Sequence, residues 1–134
     1  MISNPHKQLS PDWNETQFTN ALRDVVAACT GYSIKLGASR FMAAGTPDTI
    51  YSLGGFLFFL ESKVYPYKPS EAQIIQLNRI RETNGPAWIC TLKYPKVWLY
   101  DGETHTSHES ILDALRYCHE KCRSYPYNPF EGLV

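Results

Sequence analysis

The chain lacks most of the features that would place it at a membrane or give it a bulk affinity for polyanions. Its longest apolar stretch, Phe56 to Leu60, is strand-sized and far short of a membrane span. Neither sign of charge is in excess: Lys and Arg total 13 and Asp and Glu total 13, so any anionic partner has to meet a local patch. Met1-Ile2-Ser3-Asn4-Pro5 has neither the basic start nor the apolar core of an export signal. The four cysteines are therefore expected to be reduced thiols, and the protein intracellular and cytoplasmic. No glycine-rich phosphate loop of the NTPase or dehydrogenase type is present, which argues against those classes. Spacing assembles no Ser or Cys nucleophile with a His partner, and there is no repeat or low-complexity segment.

What the chain does have is the make-up of one folded domain. Its 134 residues are 43% hydrophobic and 19% charged, enough to bury a core without staples. The expected organisation is a flexible leader over 1–9, a single domain over 10–123, and a Pro- and Tyr-rich tail over 124–134. Ser10-Pro11-Asp12 reads as a helix start, with Phe18, Leu22, Val25 and Cys29 at helical spacing and Gly31 closing the helix. Tyr32 to Leu36 reads as a strand. The connection Val64 to Pro69 is irregular, and Ser70-Glu71-Ala72-Gln73 is a capping-box pattern opening a second helix that Asn84-Gly85-Pro86 ends. Strands follow at Ala87 to Leu92 and Lys96 to Tyr100, and Ser107 is predicted to cap a last helix bearing Ile111, Leu112, Leu115 and Cys118 on its inner side. This order implies an α/β sandwich around a mixed sheet.

The informative stretch is Thr46 to Lys63. Two apolar runs flank Gly54-Gly55, a dipeptide suited to a two-residue hairpin turn in which both positions need positive φ. Counting outward from that turn, Leu53 faces Phe56 and Asp48 falls opposite Glu61. Directly opposed residues share a sheet face with Cβ atoms about 5 Å apart, and Lys63 lies on the same face. The second strand is apolar on both faces and is expected to be central. Two carboxylates this close repel unless a proton or a cation intervenes. Asp48 and Glu61, with the backbone carbonyl of Ser62 as a third oxygen, match what Mg²⁺ takes from a protein. The ordinary alternative is a Glu61–Lys63 salt bridge with Asp48 a turn residue after Pro47. Glu15 borders the buried face of the first helix and is either a site acid or a first-turn acid favoured by the dipole. Gln73 is either a reciprocal cap or a side chain facing the sheet end. Lys35, Arg40 and Lys68 are the basic residues placed to meet phosphates, although such residues near a turn are commonly just solvated.

Gly45-Thr46-Pro47-Asp48, then Gly55 to Lys63 ending Glu61-Ser62-Lys63, then Ser70-Glu71-Ala72-Gln73 together resemble the PD-(D/E)xK nuclease superfamily. The match is closest to its VRR-NUC family, whose pattern is G-x-P-D, an apolar strand ending E-V-K, and a helix opening S-x-x-Q. The resemblance implies a restriction-endonuclease-like fold and a Mg²⁺- or Mn²⁺-dependent DNA endonuclease. It implies that Asp48 and Glu61 bind the metal, Lys63 serves the nucleophilic water, Gln73 belongs to the site, and Glu15 is the acid of the first helix. Small stand-alone members resemble phage-encoded Holliday junction resolvases, some of them homodimers, which implies branched DNA, a dimer and a host cytoplasm. Three departures stand: Ser62 replaces the usual Val, no Arg-rich segment appears, and nothing after Tyr100 matches.

Two other readings of function stay open: a restriction- or repair-type nuclease with the same site, and a nuclease-fold DNA-binding module that does not cut. His105, His108, Cys118 and Cys122 have near-ligand spacings for zinc, against the commoner reading of Cys as a small apolar residue on a helix.

Overall fold

The computed structural model describes residues 4–36, 44–124, 130 and 132. Arg40 and nearly all of the tail lie outside them. The elements are α1 (Glu15–Ala28), β1 (Tyr32–Lys35), β2 (Thr49–Leu53), β3 (Phe56–Val64), α2 (Glu71–Glu82), β4 (Ala87–Lys93), β5 (Lys96–Tyr100), β6 (His105–His108) and α3 (Ile111–Arg123). The strands form one six-stranded mixed sheet in chain order, β1 to β6. All neighbours are antiparallel except β3 and β4, which are parallel. A parallel pair needs a crossover, and α2 supplies it.

Three boundaries differ from the sequence reading. Helix α1 starts at Asn14 rather than at Ser10-Pro11-Asp12. The Asn14 side chain accepts from Gln17 N–H while the Gln17 side chain accepts from Asn14 N–H, at 2.8 and 2.9 Å. That reciprocal box satisfies two otherwise orphaned donors, whereas Ser10 Oγ serves only Asp12 N–H in a preceding turn. Residues His105 to His108, read as an approach to a helix, form the edge strand β6. The N-cap of α3 is Ser110, not Ser107, and its side chain accepts from Asp113 N–H. Nearer the N-terminus, Lys7 pairs with Asp24 at 2.8 Å and Leu9 packs against the core.

Alternation along the central strand builds two cores. Phe58 and Leu60 point to one face, where α1 and α3 cover them with Phe18, Leu22, Val25, Leu115 and Cys118. Phe59 points to the other, where Leu77, Ile74 and Ile80 of α2 pack over Ala87 and Ile89. This two-sided burial is what an apolar central strand requires. Cys118 and Cys122 belong to the first core, while His108 Nε2 meets Thr106 Oγ1 at 2.8 Å.

The hairpin turn is as its sequence demands. Gly54 and Gly55 have φ of 58° and 85°, and Leu53 pairs with Phe56 and Thr49 with Leu60. A further glycine couples the loop before β2 to α2. Gly45 has φ of 83°, and a Cβ there would lie 2.2 Å from the Ala72 carbonyl oxygen and 2.6 Å from Gln73 N. The loop therefore rests on the first turn of α2. Replacing Gly45 by Ala is expected to cost more than the about 1–3 kcal/mol of a strained backbone, because a fixed main chain also blocks it. Gly55→Ala, with a similar φ and open space, is expected to show only the strain; denaturant unfolding of the two variants measures the difference.

Candidate metal centre

Three acidic side chains converge where β2 begins. Oxygens of Glu15, Asp48 and Glu61 lie within 4.8 Å of one another, the one such group of three His, Cys, Asp or Glu among the described residues. Each arrives by a separate route. Glu15 is the first residue of α1, directly after the Asn14 cap. Asp48 sits one residue before the Thr49–Leu60 pair, and the register continued by that residue sets it against Glu61. Glu61 is on β3, with its side chain on the α2 side of the sheet.

Glu61 is 6% exposed and held on both oxygens. Its Oε2 accepts from Asp48 N–H at 3.0 Å, and its Oε1 accepts from the Gln73 amide. Gln73 thus does two things. Its Oε1 accepts from Ser70 N–H at 2.8 Å, completing the α2 capping box, and its Nε2 reaches the carboxylate. The Lys63 ammonium lies 3.7 Å from Glu61 Oε1 and 3.9 Å from Glu15 Oε1, with its side chain 13% exposed. Lys35 pairs with Thr49 at the end of β1, and Leu36 N–H donates to the Asp48 carbonyl at 2.7 Å. Lys68 stands apart from the carboxylates, in the connection between β3 and α2.

The electrostatics describe a site short of positive charge. Burial pushes Asp48 up to about 6; Glu15 adds to the rise, and the Ser62 backbone and Lys63 oppose it. Burial likewise pushes Glu61 up to about 7, with the Asp48 charge adding to the rise and Lys63 opposing it. Asp48 Oδ1 is buried with no hydrogen-bond partner, as is the Ser62 hydroxyl. Asp48 directly precedes β2, and Ser62 follows Glu61 on β3. A buried carboxylate oxygen left unsatisfied is costly, and a hard cation taking oxygen ligands would satisfy it. The donor set fits such an ion.

Spacing alone missed two contributions. Pro47 is buried immediately before Asp48. Gly45 presses the same loop onto the residues that present Gln73. The G-x-P-D string was the available signal for both, but its geometry becomes readable only with α2 in place.

A pH dependence follows from the raised carboxyls. Where a folded-state pKa exceeds the unfolded one, the folded protein holds protons that the unfolded chain has released. The stability these groups contribute to the metal-free protein is therefore present at low pH and lost as pH rises from about 4 through 7. Mg²⁺ or Mn²⁺ is expected to raise the melting temperature more at about pH 8 than at about pH 5, and Asp48→Asn is expected to remove the gain. An equal gain at both pH values would show that the ion does not compete with these protons.

Neither a protein-family model nor any curated protein sequence matches this chain. Among solved structures, the Holliday junction resolvase Hjc of Archaeoglobus fulgidus is similar to it, with a TM-score of 0.50 at 15% identity. The match covers 75% of this chain and 92% of that one. At that identity the likeness is one of fold: this chain shares the α/β architecture of Hjc, a mixed sheet flanked by helices.

Proposed function

We propose that the chain is a metal-dependent DNA endonuclease of the PD-(D/E)xK type, close to VRR-NUC, and selective for branched DNA. The observation that carries this reading is the convergence of Glu15, Asp48 and Glu61 with Lys63 and Gln73 at one strand end. The fold shared with a Holliday junction resolvase supports the branched substrate. Asp48, Glu61 and Glu15 would hold Mg²⁺ or Mn²⁺ together with the Ser62 carbonyl.

The carbonyl has a structural reason to take part. The Ser62 backbone favours the Asp48 carboxylate, and in a strand the N–H and C=O of one residue face the same neighbour. The ladder to β2 ends at the Thr49–Leu60 pair, short of Ser62, and Pro47, two residues before Thr49, has no N–H to donate. The oxygen is therefore left for another partner. A cation held there supplies polarisation of a phosphate oxygen and a lowered pKa for attacking water, together several kcal/mol of the barrier. Lys63 orients that water and meets charge developing on the phosphate, a placed group of this kind adding about 10²–10⁴-fold. Gln73 and Asp48 N–H fix the Glu61 carboxylate between them. Lys35, paired with Thr49 one residue along from Asp48, and Lys68 are the basic residues assigned to the DNA backbone.

Cutting of a symmetric junction needs two sites, and one sheet face suits a second copy. Tyr32, Ser52 and Leu57 form one row across β1–β3, and Ile34, Ile50 and Phe59 the next. Tyr32, Leu57 and Ile34 are 68%, 61% and 48% exposed. We infer a homodimer through this face, acting in the cytoplasm of the cell, or of the host if the chain is phage-encoded.

Branched, linear and single-stranded DNA incubated with Mg²⁺ or Mn²⁺ tests the activity. Branched DNA is expected to be cut best, and Asp48→Ala and Lys63→Ala to lower the rate at least about 10²-fold. Ser62→Val keeps the carbonyl and is expected to stay within a few-fold of the parent. Cutting that survives both alanine variants would remove the site assignment, and no cutting of any DNA would favour a binding module. For the dimer, Leu57→Glu is expected to yield monomers in sedimentation analysis; a monomeric parent chain at assay concentrations would refute it.

A further inference from the structure

Beside the carboxylates, on the same face of the sheet, lies a cleft of about 500 Å³, a volume within the range of small-molecule and cofactor sites. The strand registers connect the two. Glu61 pairs with Ile89, Ile89 with Tyr100, and Tyr100 with His105. In the next row Lys63 pairs with Thr91, and Thr91 with Trp98. Ile89, Thr91, Trp98 and Tyr100 all line the cleft. Trp98 is therefore two strand spacings, roughly 10 Å, from Lys63 along one row of side chains.

The lining is aromatic and basic. Tyr100 and His105 stack at 4.3 Å, leaving the row closed by a flat pair of rings. The opposite wall is the connection from β3 to α2, with Tyr65 and Tyr67 58% and 74% exposed. Lys93 lies over the Tyr65 ring at 4.8 Å, and Lys68 stands on the same wall. Among the described residues, no carboxylate lines the cleft. Flat rings bordered by ammonium groups are the combination that holds a nucleobase by stacking and its phosphate by charge.

We propose that this cleft takes an unpaired base of the DNA strand whose backbone lies at the carboxylate cluster, resting on the nuclease reading above. A paired base keeps its faces inside the duplex stack and cannot enter. The cleft therefore favours strands that carry unpaired nucleotides next to the cut, and stacking accepts any of the four bases.

Binding of the Asp48→Asn chain separates this from the nuclease reading, because it requires no cutting. A fully paired duplex is compared with the same duplex carrying a short unpaired tail that contains 2-aminopurine. The tail is expected to tighten binding roughly 5- to 150-fold, with 2-aminopurine emission quenched on binding. Tyr67→Ala and Trp98→Leu are each expected to lower that ratio and restore emission. Tyr94→Ala, exposed but outside the cleft, is expected to keep it. Should Trp98→Leu fail to fold, Tyr67→Ala still decides, since its side chain is largely in solvent. Equal binding of the two DNAs, or loss of the ratio in Tyr94→Ala, would overturn the cleft assignment even with cutting intact. A parent chain that cuts nothing yet shows the tail preference would overturn the nuclease reading and leave the cleft standing.

Discussion

Two carboxylates held against their own repulsion set the terms for the rest of this structure. A Gly-Gly turn sets the β2–β3 register, and the Asp48 N–H bonded to Glu61 Oε2 keeps the two residues side by side. Burial then withholds the water that would screen them, so both are pushed toward protonation. Lys63 supplies a single positive charge to three acids. A hydrophobic sheet ordinarily avoids such an arrangement, because charges are buried only when paired. Its presence beside the buried stretch Leu60 to Ser62 of β3 is the strongest physical sign that the deficit is met by something from outside the chain.

The surroundings hold the pair in place from several directions. Helix α2 is required by the parallel β3–β4 pairing, and the crossover delivers its first turn to Glu61. Gly45 lets the loop before Asp48 sit directly on that turn. The carboxylate pair, the loop and the helix cap consequently form one packed unit, although they are spread from residue 45 to residue 73. Each of the two cores depends on β3 alternating cleanly, with Phe58 and Leu60 to one side and Phe59 to the other.

Much of this was legible in the chain because it is local. The hairpin register follows from two glycines, and the α2 start from a serine three residues before a glutamine. The second role of Gln73 was not legible from spacing, since it depends on where α2 lands over β3. Glu15 was ambiguous for a related reason: the helix start was read at Ser10, whereas the reciprocal cap at Asn14 makes Glu15 its first residue. Strand β6 escaped because His105 to His108 is short and polar, although Asp101-Gly102 ahead of it is a hairpin dipeptide. The cleft draws its walls from four separate segments, and no local pattern announces such a place.

Pro47 has one more implication. Hydrogen bonds in a sheet open and close as strand ends fray, so a ligand position that depended on such opening would exist for only part of the time. At Pro47 the missing N–H is a matter of covalent structure, and no fluctuation restores it. The loop before β2 therefore never offers a backbone donor at that residue, whatever the strand end does.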